Sequence, residues 1–182
     1  YYNAFVKKYP TVFDLAKASE ESILKLWQGL GYYSRARNLH TTAKYVVNEL
    51  NGIFPDNYND LLKLKGVGDY TASAIASIAF NEVAAVVDGN VYRVLARYFG
   101  IDTPINSTIG IKAFKTLASA LIDEDQPAEY NQAIMEFGAK QCKPKSPDCS
   151  VCLFNDSCIS LQKNLVNVLP VKLKKTKVTI KY

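Results

Sequence analysis

With 182 residues, 48% of them hydrophobic, the chain is long enough for one or two small domains with a real core. No apolar run approaches the ~20 residues a membrane span needs. Nor does a charged start lead into an apolar stretch and a cleavage site. Neither a membrane role nor export is therefore expected. The net charge of +5 misleads, because Lys163, Lys172, Lys174, Lys175, Lys177 and Lys181 follow Cys158 and no acid does, so residues 1–158 carry one more acid than base. A polyanionic partner has to be argued from local sites, not from total charge.

The chain opens at Tyr1, inside an amphipathic segment, so a longer natural protein is expected. Ser19 followed by Glu20 and Glu21 reads as a helix cap with an acidic first turn, leading into Ile23, Leu24 and Trp27. Leu39, Ala43, Val46, Val47 and Leu50 then recur at helical spacing until Asn51-Gly52 stops them. Residues 53–57 read as a loop. Further helices are predicted near 70–80, 90–99, 108–121 and 127–140, with a loop at 102–106. The only strand-like run, residues 83–87, is short and lies between two helices. Periodicity fades from about Leu165, where a solvated linker or tail is expected. The fold class is all-α. The expected division is a helical subdomain over 1–80, a metal-carrying subdomain over 81–164 and a tail over 165–182.

Three features carry chemistry. Leu64-Lys65-Gly66-Val67-Gly68 sets two glycines between helical patterns. Such a turn exposes backbone amides at a helix start, which hold a phosphate without a basic side chain. Most G-x-G pairs, however, are ordinary turns. The second feature is the cysteine run Cys142, Cys149, Cys152 and Cys158, which holds all four cysteines of the chain. A disulfide framework would be spread out, so one tight group points to a metal site in a reducing compartment, holding zinc or an iron–sulfur cluster. Third, Asp88-Gly89-Asn90 precedes the helical pattern of Val91, Val94, Leu95 and Tyr98. Asp88 is an ordinary helix cap on the plain reading. It is also a carboxylate able to stabilise the positive charge that develops when a glycosidic bond breaks.

Together these features resemble the helix-hairpin-helix DNA glycosylase superfamily. Four collinear segments, LWQGLGYYSRARNLH at 26–40, LKGVGDYTASAIAS at 64–77, VVDGNVYRVLAR at 86–97 and YNQAIMEFGAKQC at 130–142, are similar to its adenine DNA glycosylase branch, the MutY type. The resemblance implies two helical subdomains with a C-terminal iron–sulfur loop, and a 4Fe–4S cluster rather than zinc on the four cysteines. It implies removal of adenine opposite 8-oxoguanine or guanine in double-stranded DNA, by a monomer in the cytoplasm near the nucleoid. Asp88 would stabilise the cationic sugar, supported by Asn90 and Tyr70. Gly66, Val67 and Gly68 would grip a phosphate. Tyr32 would wedge into the duplex as the base is extruded, and Gln132 would line the adenine pocket. Packing is the plain alternative for Tyr32 and Tyr33, and a solvent-facing position for Gln132. Arg35, Arg37 and His40 would touch phosphate or sit on a wet helix face.

The nearest alternative is the endonuclease III-like glycosylase/lyase branch. That branch places a nucleophilic lysine two residues after the second hairpin glycine; here the position is Tyr70. Water-mediated hydrolysis is expected instead. A binding module that reads DNA structure without chemistry is a further alternative, against which Asp88 argues. In the resembled family the general acid is a Glu preceding this segment, and an 8-oxoguanine recognition domain follows it. Residues 1–182 alone are therefore expected to excise adenine poorly.

Overall fold

The computed structural model describes residues 1–174. Ten helices are found there: α1 (Tyr2–Lys8), α2 (Val12–Lys17), α3 (Glu20–Trp27), α4 (Tyr33–Glu49), α5 (Tyr58–Leu61), α6 (Asp69–Phe80), α7 (Gly89–Phe99), α8 (Thr108–Leu121), α9 (Pro127–Lys140) and α10 (Ile159–Gln162). No strand occurs among the described residues, so the protein is all-α as expected. Lys175, Lys177 and Lys181 of the lysine-rich end lie outside them. The chain divides into two units, Tyr1–Ala76 and from Ser77 on, and α6 runs across the division.

In the first unit α4 packs against α2 and α3. Its inward stripe, Ala36, His40, Ala43 and Val46, is buried at helical spacing and joined in the core by Ile23, Leu61 and Leu64. The caps fall where the sequence places them. Ser19 Oγ accepts from Ser22 N at 3.2 Å to start α3. Thr11 and Asp14 form a reciprocal capping box on α2.

In the second unit α7 packs against α8, α9 and α10. Phe114, Val91 and Ala96 are fully buried at the centre, with Leu95, Ile105, Ala118 and Ile122 around them. Residues 165–171 are non-helical, yet they are packed rather than loose. Leu169 is buried in the same core, and Ile105 N donates to Val171 O at 3.0 Å.

The strand-like run takes no partner strand. Residues 84–87 are buried, and their backbone groups are met by side chains. Val86 N donates to Asn131 Oδ1 at 3.0 Å, and Asn131 Nδ2 donates to Ala84 O at 2.9 Å. Lys115 Nζ donates to Ala85 O at 2.9 Å. A short apolar run rich in valine announced an extended chain but could not show that its ladder would be built from side chains.

Candidate functional site: a capped carboxylate, a hairpin and a cysteine cavity

Asp88 is the N-cap of α7, and more than a cap. Its Oδ1 accepts from the backbone amides of Asn90 and Val91, both at 2.8 Å, and its Oδ2 accepts from Asn90 Nδ2 at 2.8 Å. An ionised carboxylate offers about four acceptor sites, so three donors fix this group and leave capacity for one more partner. Asp88 and Asn90, read from the sequence as one motif, are thus in direct contact.

Behind Asn90 stands Arg93, which sequence reasoning missed. It is 8% exposed. Its Nη2 donates to Asn90 Oδ1 at 2.8 Å and to Gly138 O, and its Nε donates to Cys142 O at 2.7 Å. One guanidinium therefore braces the residue that braces Asp88 and also holds the first cysteine of the loop. Burial lowers the Arg93 pKa, while Cys142 and Asp88 pull it back up. α9 can approach this closely only because Gly138 lacks a Cβ. An added Cβ would stand 2.7 Å from Asn90 Cβ.

One turn on, Arg97 is 3% exposed. It donates to Lys143 O at 2.7 Å, to Pro144 O at 3.1 Å and to Leu169 O at 3.1 Å, and lies 3.4 Å from Cys142 Sγ. Two arginines spaced i, i+4 read as a solvated face in sequence. Only the course of the cysteine loop over them shows otherwise.

All four cysteines line one cavity of about 430 Å³, together with Tyr98, Phe137, Leu153, Phe154 and Leu161. Phe154 meets Tyr98 and Phe137 edge-on, with ring centroids 5.4 and 5.3 Å away. No disulfide joins the four cysteines. Burial pushes the Cys149 thiol up, and its neighbours Cys152, Cys142 and Cys158 push it further. Among the described residues no three His, Cys, Asp or Glu side chains are gathered as ligands to one metal ion.

The first unit carries the other predicted residues except Gln132. The turn between α5 and α6 holds Gly66 at φ +81°, and a Cβ there would stand 2.4 Å from Asn38 Nδ2. Thr42 Oγ1 donates to Lys65 O at 3.0 Å, fastening the turn to α4. Tyr58 OH donates to Asp69 Oδ1 at 2.5 Å, closing α5 onto α6. Gly66 and Gly68 are exposed and Val67 is half-buried, at a helix start where backbone amides lack intrahelical acceptors. Tyr70, in the first turn of α6, is 47% exposed.

Tyr32 is 77% exposed and holds a left-handed backbone, φ 47°, at the start of α4. A bulky residue there is held against its preference. Arg35 lies over its ring at 5.0 Å, and Trp27 Nε1 pins the preceding turn by donating to Gly31 O at 2.9 Å. In the second unit Gln132 is exposed, next to the buried Asn131. His40 is buried, so neither expected role, a phosphate contact or a wet face, suits it, whereas Arg35 and Arg37 are exposed.

The paired hairpin helices, the capped aspartate and the cysteine cavity together define a class. The chain belongs to the HhH-GPD superfamily of base excision DNA repair proteins, whose pattern matches residues 1–117. Over 164 residues it is 47% identical to the human adenine DNA glycosylase, covering 90% of this chain and 30% of that protein. With the adenine DNA glycosylase of Buchnera aphidicola (strain Bp) it shares 39% identity over 177 residues, 97% of this chain and 49% of the relative. The chain thus spans between about a third and a half of the length of these relatives. Its fold is similar to that of a thermostable thymine-DNA glycosylase, with a TM-score of 0.82 at 34% identity over 89% of this chain and 75% of that one. It is also similar to an endonuclease III in a non-covalent complex with DNA, with a TM-score of 0.76 at 27% identity over 90% and 75% of the two chains.

Proposed function

We propose that this chain is the core of a monofunctional adenine DNA glycosylase. It hydrolyses the N-glycosidic bond of adenine mispaired with 8-oxoguanine or guanine in double-stranded DNA, as a monomer in the cytoplasm. The observation that carries the reading is the Asp88 carboxylate, held by three donors with one acceptor position left over. As the bond to adenine lengthens, positive charge grows on the sugar, and a fixed carboxylate stabilises it without reorganising. Water then completes the hydrolysis, adenine leaving with the bonding electron pair and a proton. Tyr70 stands where the lyase branch keeps its lysine, so no amine is placed there to form a Schiff base.

The first unit supplies the grip on DNA. The exposed turn at Gly66 and Gly68 offers amides to a phosphate, which suits a body whose residues 1–158 carry no excess of positive charge. Tyr32, exposed and conformationally constrained, is the wedge that helps extrude the base, and Gln132 contacts the adenine.

Cys142, Cys149, Cys152 and Cys158 would hold a 4Fe–4S cluster. The lining of one cavity by all four thiols supports this reading. Buried Arg97 meets three neutral carbonyls and otherwise only Cys142 Sγ, so the negative charge of a thiolate-held cluster would provide the compensation that a buried cation requires. When bound, such a group ties the loop together and supplies one-electron redox capacity.

The test is a single-turnover assay on a duplex with adenine opposite 8-oxoguanine, using the longest natural chain that contains these residues. Excision that Asp88→Asn abolishes supports the reading. Excision that persists in the variant sinks it.

A further inference from the structure

We infer that Asn131 is a positioning residue for the Asp88 carboxylate, its side-chain amide standing in for a neighbouring strand and setting the register of the segment that ends in Asp88. The inference rests on the reading of Asp88 given above.

Asn131 is 1% exposed, and every polar atom of its side chain is engaged. Oδ1 accepts from Val86 N at 3.0 Å, while Nδ2 donates to Ala84 O at 2.9 Å and to Ser77 Oγ at 2.9 Å. The groups met on residues 84 and 86 are those that one residue of a paired strand would meet, since donor and acceptor alternate along an extended edge. Lys115 serves Ala85 O in the same way. Two residues beyond Val86, the chain reaches Asp88 with almost no slack. A slip of one residue would move the carboxylate by about 3.3 Å and turn it to the other face.

The capping bonds alone do not fix Asp88 in place, because they tie it only to α7, whose own first turn it is. Asn131 ties the same segment to α9, the helix that also carries Gln132. The two side chains are adjacent in sequence, one buried and one exposed. The carboxylate and the proposed base contact are thereby referenced to one helix.

An amide is required here, because Val86 N needs an acceptor and Ala84 O needs a donor from the same side chain. That requirement gives the experiment its signature. Asn131→Asp keeps the acceptor; ionised, it sets a carboxylate oxygen against Ala84 O. Protonated, its O–H restores the donor. In the longest natural chain, single-turnover excision is measured across pH 5–9, rates being taken per folded, DNA-binding molecule. Asn131→Asp is expected to be at least tenfold slow at high pH and to recover toward the unsubstituted protein as pH falls. Asn131→Leu is expected to be slow throughout, with DNA affinity unchanged.

The inference is overturned if folded Asn131→Asp follows the unsubstituted pH profile within twofold. That variant decides even where Asn131→Leu does not fold. Asp88→Asn separates the two readings. Activity surviving in it removes the glycosylase reading of Asp88 and this inference together. Activity lost there but indifferent to Asn131→Asp removes this inference alone.

Discussion

At the scale of single residues, the carboxylate of Asp88 shows how a structural role and a chemical one share two oxygens. Asn is as good an N-cap as Asp, but its amide nitrogen would face Asn90 Nδ2 donor to donor, so Asp88→Asn should cost about 1 kcal/mol of stability. Excision should nevertheless fall by about 100- to 1,000-fold, the usual effect of removing one electrostatic stabiliser. Rates and urea melts on the same preparation separate the two. Arg93 behaves in the opposite way. Arg93→Gln strips donors from Asn90, Gly138 and Cys142, and charge-assisted bonds contribute about 1.5–3 kcal/mol each against the cost of an orphaned partner. We expect at least about 2 kcal/mol of lost stability, read as a lower urea midpoint at unchanged slope. Asp88 was legible because a cap and a helix pattern flank it. Arg93, Arg97 and Asn131 were not, because charged and amide side chains on a helix read as solvent-facing until the loops that cover them are placed.

Among the elements, the hairpin was the most legible. Two glycines between helical patterns are local signals, and φ +81° at Gly66 is the reason one of them is there. Gly66→Ala meets both an unfavourable backbone region, about 1–2 kcal/mol for a residue with a Cβ, and the Asn38 side chain. DNA dissociation constants should rise by about tenfold or more, with the cysteine loop unaffected. The short helix α10 escaped notice because four residues show no period, and α5 showed only as the helical pattern before the hairpin. The contact that closes α5 onto α6 gives a pH prediction. Its hydrogen bond to Asp69, followed by burial and the negative charge of Asp69, pushes the Tyr58 phenol up from its ordinary value near 10 to about 12. A raised folded-state value means this contribution is complete below pH about 10 and is lost as pH rises to about 12. The stability difference between the unsubstituted chain and Tyr58→Phe should be full below pH about 10 and shrink away as pH rises to about 12.

For the molecule as a whole, helix class and order were legible because long amphipathic helices advertise their period, whereas the packing of residues 165–171 was not, because a short apolar segment without regular structure has no pattern. The second unit is organised around Phe114, and Phe114→Ala should cost about 3–5 kcal/mol in chemical unfolding. The cysteine cavity gives the metal prediction. Anaerobically purified protein should be brown and contain iron and sulfide. Stripping the metal should expose the loop over residues 142–158 to proteolysis while the first unit resists. Zinc in place of iron would overturn the cluster assignment.

The apolar run at residues 83–87, buried from Ala84 on, has a consequence outside catalysis. Val-Ala-Ala-Val-Val is a short, uncharged stretch rich in branched side chains, the composition from which intermolecular β-stacks grow. In a sheet protein such a stretch would be shielded by neighbouring strands. Here the shielding is done by an amide and an ammonium group, which occupy main-chain positions that another copy of the chain would otherwise recruit. Those two side chains therefore guard solubility in the folded chain, and only from the point at which α8 and α9 have docked onto the stretch.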